Sequence, residues 1–123
     1  MLAAFAAALI LKTFAVDFMV AEGRSMTPTI APGTILVVNK AAYGLHIPFS
    51  TRYIFRWRLP RTGDIVVFPS PAGRLAVKRC AFAEGVPAGY FSAFGDNAVE
   101  SYDSRNYGPV PVDAVLGKVV GIR

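Results

Sequence analysis

The sequence is poor in the residues that most often announce a chemistry. Its 123 residues include one cysteine, one histidine and one tryptophan. A lone Cys80 excludes an internal disulfide and leaves the redox compartment open. With Cys and His so scarce, no His/Cys/Asp cluster has the spacing of metal ligands, so no metal and no organic cofactor is expected. A Ser-His-Asp triad would have to rest on His46 alone, in the turn-like stretch after Tyr43-Gly44-Leu45. Acidic residues are also the minority, eight against thirteen Lys and Arg, for a net charge of +5. That balance suits an anionic partner such as lipid headgroups or nucleic acid, or simply a soluble basic surface. There are no internal repeats and no low-complexity linker, and the length fits one domain with a modest core.

What is abundant is apolar: 54% of the chain, above the roughly 45–50% usual for soluble domains. The excess gathers at the N-terminus, where Leu2 to Leu11 carry no charge and include five alanines. Ten apolar residues are fewer than the roughly twenty that span a bilayer. Such a segment suits a signal-peptide core, a half-buried anchor or a truncated spanning helix. Lys12-Thr13-Phe14 does not look like a signal-peptide cleavage site.

Beyond it, period-two alternation predicts strands. Phe14, Val16, Phe18 and Val20 alternate with Thr13, Ala15, Asp17 and Met19. Thr34–Asn39 is rich in β-branched residues, and Gly63–Phe68 is apolar enough for burial on both faces. Leu75–Phe82 and one or two short strands within Val110–Ile122 complete the set. In Arg52–Leu59, Tyr53, Phe55, Trp57 and Leu59 fall on one face and Arg52, Arg56 and Arg58 on the other. This strand fits a core position with a solvated basic face, a membrane interface or a stacking platform for single-stranded nucleic acid. No helical periodicity follows the N-terminal segment.

Three segments carry chemistry. Gly23-Arg24-Ser25-Met26-Thr27-Pro28-Thr29-Ile30 holds a serine in a turn. Ala76-Val77-Lys78-Arg79 places a lysine in an apolar strand. Gly95-Asp96-Asn97 runs on to Ser101-Tyr102-Asp103-Ser104-Arg105 as a polar block. A serine in such a turn can simply hydrogen-bond its own backbone. Serine becomes a nucleophile only when a base takes its proton, and a desolvated neutral lysine can be that base. Lys78 shares its strand face with Ala76 and Cys80, neither an anion, so loss of hydration would lower its pKa. The alternative is a buried stem with its ammonium in solvent. Cys80 reads as a small buried space-filler rather than a second nucleophile.

The three segments in this order, with 53 residues from Ser25 to Lys78, resemble the type I signal peptidases, membrane-bound serine endopeptidases, from about Phe14 to Val119. The resemblance implies a mostly β fold: a compact antiparallel-sheet catalytic domain, residues 13–123, after a short hydrophobic helix, residues 1–12, serving as membrane anchor. It implies Ser25 as nucleophile and Lys78 as general base, with Ser101 hydrogen-bonding the lysine amine. Asp103 and Arg105 would form a supporting ion pair on one strand face, and Gly95, Asp96 and Asn97 would shape the turn. The oxyanion would be held by the Ser25 backbone N–H; many family members add a serine hydroxyl where this chain has Gly23. Met19, Ala21, Gly23, Met26, Ile30, Ala76 and Val77 match the substrate-binding positions. The family usually carries an aromatic where Ala76 stands, and larger members insert a second β domain where only 16 residues separate Lys78 from Gly95.

The implied function is removal of N-terminal signal peptides from exported preproteins after small residues, by a monomer with its catalytic domain on the export side of a plasma or inner membrane. Signal peptides and membrane lipid are the expected partners, and nucleic acid is not. Two rivals stand beside it. One is a self-cleaving repressor-type protease with a similar Ser–Lys pair, whose DNA-binding module is replaced here by an apolar segment. The other is a non-catalytic, membrane-tethered basic β module.

Overall fold

The computed structural model describes residues 1–48, 50 and 52–123. Leu2–Phe14 forms helix α1, as expected of a segment dominated by alanine and leucine, the strongest helix formers. The expected boundary shifts here. The helical ladder runs two residues past Lys12 and closes with Ala15 N–H donating to Leu11 O. Strand β1, Val16–Val20, therefore starts at Val16 and not at Phe14. Leu2 to Lys12 are all exposed. No helix among the described residues is long and apolar enough to cross a membrane. The 13 residues of α1 extend about 20 Å, against about 30 Å of hydrocarbon.

The strands after β1 are β2 (Ile35–Asn39), β3 (Gly44–His46), β4 (Tyr53–Arg56), β5 (Ile65–Pro69), β6 (Leu75–Ala81), β7 (Tyr90–Phe94), β8 (Val110–Pro111) and β9 (Gly117–Ile122). Seven of them form one antiparallel sheet in the order β1-β2-β9-β5-β6-β7-β8, while β3 and β4 make a separate hairpin. The chain is thus mostly β, as its alternation predicts. One expectation needs correction: helical structure does recur, as the short helix α2 (Ser104–Tyr107) and two 3-10 turns. Asp103 caps α2 by accepting from Arg105 N–H, and the Asn106 side chain accepts from Asp103 N–H. This reciprocal capping box satisfies the free N–H groups of the first turn.

Strand β5 lies between two cores. Val66 and Phe68 pack with Tyr43, Cys80, Phe91, Ala93 and Val115. Val67, pointing the other way, packs with Ala21, Met26, Ile30, Leu36, Val38 and Val119. The near-continuous apolar run of β5 is therefore explained by burial on both faces. Edge strand β1 and the interior strand β6 line one cleft, so the sheet curls back on itself.

The aromatic–arginine segment departs from its expected faces. Only Tyr53–Arg56 is strand. Tyr53 is drawn against the core, its hydroxyl donating to Val115 O at 2.7 Å. Phe55, Trp57 and Leu59 are exposed instead, together with Ile54. Arg56 and Arg58 are half-buried and lie over the Tyr53 and Tyr43 rings. A bulge between Leu45 and His46 breaks the register on β3, and the strand ends at Arg56, so strict alternation does not hold through Leu59. His46 sits in β3 and not in a turn.

Candidate active site

The nucleophile candidate lies in the loop between β1 and β2. Gly23 opens that loop at φ +72°, with open space around a would-be Cβ. A serine at this position would meet no clash, but it would take a backbone conformation that L-residues rarely adopt. The loop is then tied down by the Gly95–Asn97 segment across the cleft. Asn97 N–H donates to Ser25 O at 2.8 Å, and the Asn97 amide donates to Arg24 O and Thr27 Oγ1. The Asp96 carboxylate accepts from Thr29 Oγ1 at 2.6 Å and takes two hydrogen bonds from Arg79. The Arg79 guanidinium, with help from Thr29, holds the Asp96 carboxyl below the usual carboxylate range against the opposing effect of burial. The sequence pattern assigned Asp96 and Asn97 only to turn shaping. Their role as a clamp on the serine loop depends on contacts about 70 residues away in sequence.

Lys78 comes from β6, and its Nζ lies 2.8 Å from Ser25 Oγ in a hydrogen bond. The lysine is buried, at 6% exposure. Burial lowers its pKa; the Asp103 carboxylate opposes that shift and the Arg105 guanidinium adds to it. As an ammonium, Nζ donates to Oγ; as a neutral amine, it accepts the hydroxyl proton. Asp103 is fully buried. Burial alone would raise its pKa, but four donors, Arg105 side chain, Gly95 N–H, Ser101 hydroxyl and Arg105 N–H, together hold it far below the ordinary value.

The supporting residues do come together, in a geometry other than the expected one. Asp103 and Arg105 pair through Nε and a terminal nitrogen, at 3.0 and 2.5 Å. They do so as the cap and first turn of α2 and not as neighbours on a strand face. A helix start brings a residue and its i+2 neighbour into reach just as a strand does, because the capping side chain folds back over the first turn. The Ser101 hydroxyl donates to Asp103 Oδ2 at 2.5 Å, so the hydrogen bond it makes here goes to the carboxylate instead of the lysine amine. Ser101 nonetheless sits close to the nucleophile's loop. A Cβ on Gly95 would lie 2.1 Å from Ser101 Oγ and 2.7 Å from Ser25 O. Only a glycine allows that approach.

All of the sequence-derived substrate positions, Met19, Ala21, Gly23, Met26, Ile30, Ala76 and Val77, line one cleft of about 510 Å³ with Ser25 and Lys78. Tyr102 and Leu75 also line it, and neither was singled out from the sequence. Tyr102 sits inside the third segment, but nothing about a tyrosine between two polar residues marks it as a cleft wall. His46 is elsewhere: buried, its Nε2 3.3 Å from Val115 O and its ring 4.0 Å from that of Tyr53. Cys80 is fully buried, and burial pushes its thiol up to about 12, as suits a space-filler. Among the described residues no His/Cys/Asp/Glu group could hold a metal ion.

The cleft has unpaired backbone on both walls. Among the described residues strand β1 pairs only with β2. On β6, Leu75–Lys78 pair with β5, while β7 takes up only Arg79–Ala81. The Ser25 N–H has no protein partner among the described residues. Chemically, such an arrangement suits acyl transfer on an extended peptide: two strand edges, a hydroxyl beside an amine, and a free N–H.

The profile of the signal peptidase, peptidase S26 family matches residues 1–85 and 77–122. The chain belongs to that family, and so to the peptidases. Signal peptidase I of Bacillus caldolyticus is 27% identical, the match covering 89% of this chain and 80% of that protein. The mitochondrial ATP-independent inner membrane protease subunit 1b of Arabidopsis thaliana is 31% identical over 81% of this chain and 65% of its own. Signal peptidase I of Buchnera aphidicola is 40% identical over 62 residues, half of this chain but only 20% of that enzyme.

Proposed function

We propose that the chain is a minimal signal peptidase I: a serine endopeptidase that removes N-terminal signal peptides from exported preproteins after small residues. The observation that carries this reading is the 2.8 Å contact between Lys78 Nζ and Ser25 Oγ in a cleft lined by small and apolar side chains. The substrate adds as a strand between the free edges of β1 and Leu75–Lys78, with backbone pairing for affinity and side-chain pockets for specificity.

In the first step the neutral Lys78 amine takes the Ser25 hydroxyl proton as Oγ attacks the scissile carbonyl carbon. The carbonyl oxygen becomes an oxyanion and accepts from the Ser25 N–H. Collapse of the adduct breaks the C–N bond, and the Lys78 ammonium gives its proton to the leaving amine. Lys78, neutral again, takes a proton from water as the water oxygen attacks the acyl carbon; the C–Oγ bond then breaks, the acid leaves, and the Lys78 ammonium returns the proton to Ser25 Oγ. Asp103 and Arg105 act through the rest: they anchor Ser101 and Gly95 beside the serine loop.

Residues 1–12 serve as a membrane-seated helix and residues 13–123 as the peptidase domain, on the export side of a plasma or inner membrane. The exposed apolar surface of α1 supports lipid contact. The test is a fluorogenic peptide with alanine one and three positions before the cut, presented to wild type and to Ser25→Ala in detergent. Wild-type cleavage at the intended bond, absent in the variant, supports the reading; equal signals, or none, end it.

A further inference from the structure

The cleft beside Ser25 has two walls, and they belong to different cores. Met19 and Val77 pack with Ala21, Met26 and Ile30, and all of these line the cleft. Ala76 points the other way on β6, as alternation along a strand requires. It stands opposite Phe68 of β5 and packs against the core that holds Phe68 and Phe91. Tyr107 packs against that same core. The Tyr102 ring meets the Tyr107 ring edge to face, with centroids 5.3 Å apart, a favoured arrangement for aromatic pairs. Tyr102 lines the cleft with Ala76, so the second wall is a methyl group and a phenol ring carried by distant segments.

The mechanism above leaves Tyr102 without a part. It is 59% exposed, yet Tyr107 holds its ring in place, so it offers a preformed apolar face. Its neighbour Ser101 lies beside the serine loop across Gly95, which sets the ring at the Ser25 end of the cleft. An extended peptide presents alternate side chains to opposite faces. With the side chains one and three positions before the cut against the Val77 wall, the side chain two before the cut faces Ala76 and Tyr102. Val20, on the strand face opposite Met19, lines the cleft as well. Because Ala76 ends at Cβ, the space before the ring stays open to a large group. We propose that Tyr102 determines specificity for the side chain two positions before the scissile bond, its ring recognising a large apolar group there. The inference rests on the peptidase reading and adds a requirement opposite in size to the one next to the cut.

The test uses the full chain in detergent and peptides with alanine one and three positions before the cut and glycine, leucine or phenylalanine between them. In wild type, leucine and phenylalanine should exceed glycine in kcat/KM by about tenfold. Tyr102→Ala should cut that ratio to about twofold or less, whereas Tyr102→Phe, which keeps the ring, should retain it. Ala76→Phe fills the same space from the facing wall and should turn the preference towards glycine. Equal rates for glycine and leucine in wild type overturn the inference. So does a leucine preference that survives Tyr102→Ala, or one that Ala76→Phe leaves intact. A change of preference confined to the residue after the cut overturns it too, since the ring would then face the leaving group. Failure to cleave any of the peptides overturns the peptidase reading itself, a distinct result.

Discussion

The two ends of the cleft are built on opposite principles. At the Ser25–Lys78 end, polar groups are held by other polar groups: Asn97 on the serine loop, Asp96 between Thr29 and Arg79, and Asp103 gathering Ser101, Gly95 and Arg105. At the Met19–Leu75 end, the walls are apolar side chains on two strands with free backbone edges, and among the described residues there is no comparable network. Hydrogen bonds are directional and fix positions closely; apolar contact is tolerant of shape. In the proposed mechanism the reacting groups thus stand where geometry is enforced, and recognition stands where side chains of several sizes fit. Adjacent residues repeat the contrast. Lys78 is buried beside a serine, whereas Arg79, next along β6, is paired to a carboxylate.

The sharpest way to break the polar end is to remove the reacting pair. Ser25→Ala and Lys78→Met should each lower kcat by about 10³-fold or more, and the double variant should lose little beyond either single one, since the two act as a unit. Lys78→Arg should be as inactive, because guanidinium stays protonated at any usable pH. Lys78→Met should also melt no lower than wild type. The unfolded chain binds the lysine proton more tightly than the fold does, so at neutral pH the buried amine opposes folding. A residual rate above about a tenth in Lys78→Arg would remove Lys78 as the base.

Next in size is Gly95→Ala. The new methyl must displace Ser101 or the Ser25 carbonyl, and displacements near 1 Å cost about 10²-fold in rate. A kcat loss with KM nearly unchanged is the expected signature. Arg105→Ala should then destabilise by about 2 kcal/mol in urea unfolding, because a buried carboxylate loses its cationic partner. Since the Asp103 pKa is depressed by folding, that stability is present above pH 3.8 and is lost as pH falls below it. Wild type should thus lose more between pH 5 and 2 than Asp103→Asn does.

The smallest expected effect is on pH dependence. The rate should rise with pH at values below 10.5, as the desolvated Lys78 gives up its proton. The kcat/KM profile of His46→Ala should overlay that of wild type, since His46 lies outside the cleft. Burial lowers the His46 pKa, so a rise below 6.5 that vanishes in the variant would transfer the base role to His46.

Much of this was legible because it is local. Alternation marked β1 as a strand, β-branched residues marked β2, and the apolar run marked β5 as buried on both faces; which face of β1 is covered was not legible, since Phe18 and Val20 are exposed and Met19 lines the cleft. The turn holding Ser25 and the strand holding Lys78 likewise carry their own signals. Long-range polar choices were not legible. Whether Ser101 turns to Lys78 or to Asp103 is decided by a carboxylate two residues on, which the sequence equally allows to face a strand neighbour. The capping pattern from Asp103 to Asn106 was present but hidden in a block rich in turn residues. Strand β7, Tyr-Phe-Ser-Ala-Phe, has no clean alternation; it exists because β6 offers Arg79–Ala81 as partners. The end of α1 moved because nothing in Lys12-Thr13-Phe14 stops a helix.

Cys80 has a use beyond filling space. It lies two residues from Lys78 on the same strand, fully buried, with its thiol pushed up to about 12. Only a transient separation of β6 from its neighbours exposes it as a reactive thiolate. With no other sulfhydryl in the chain, its alkylation rate in native buffer is a clock for the opening of the strand that carries the lysine. A bound peptide bridging β1 and β6 should slow that clock, and so report occupancy of the cleft in variants that no longer turn over.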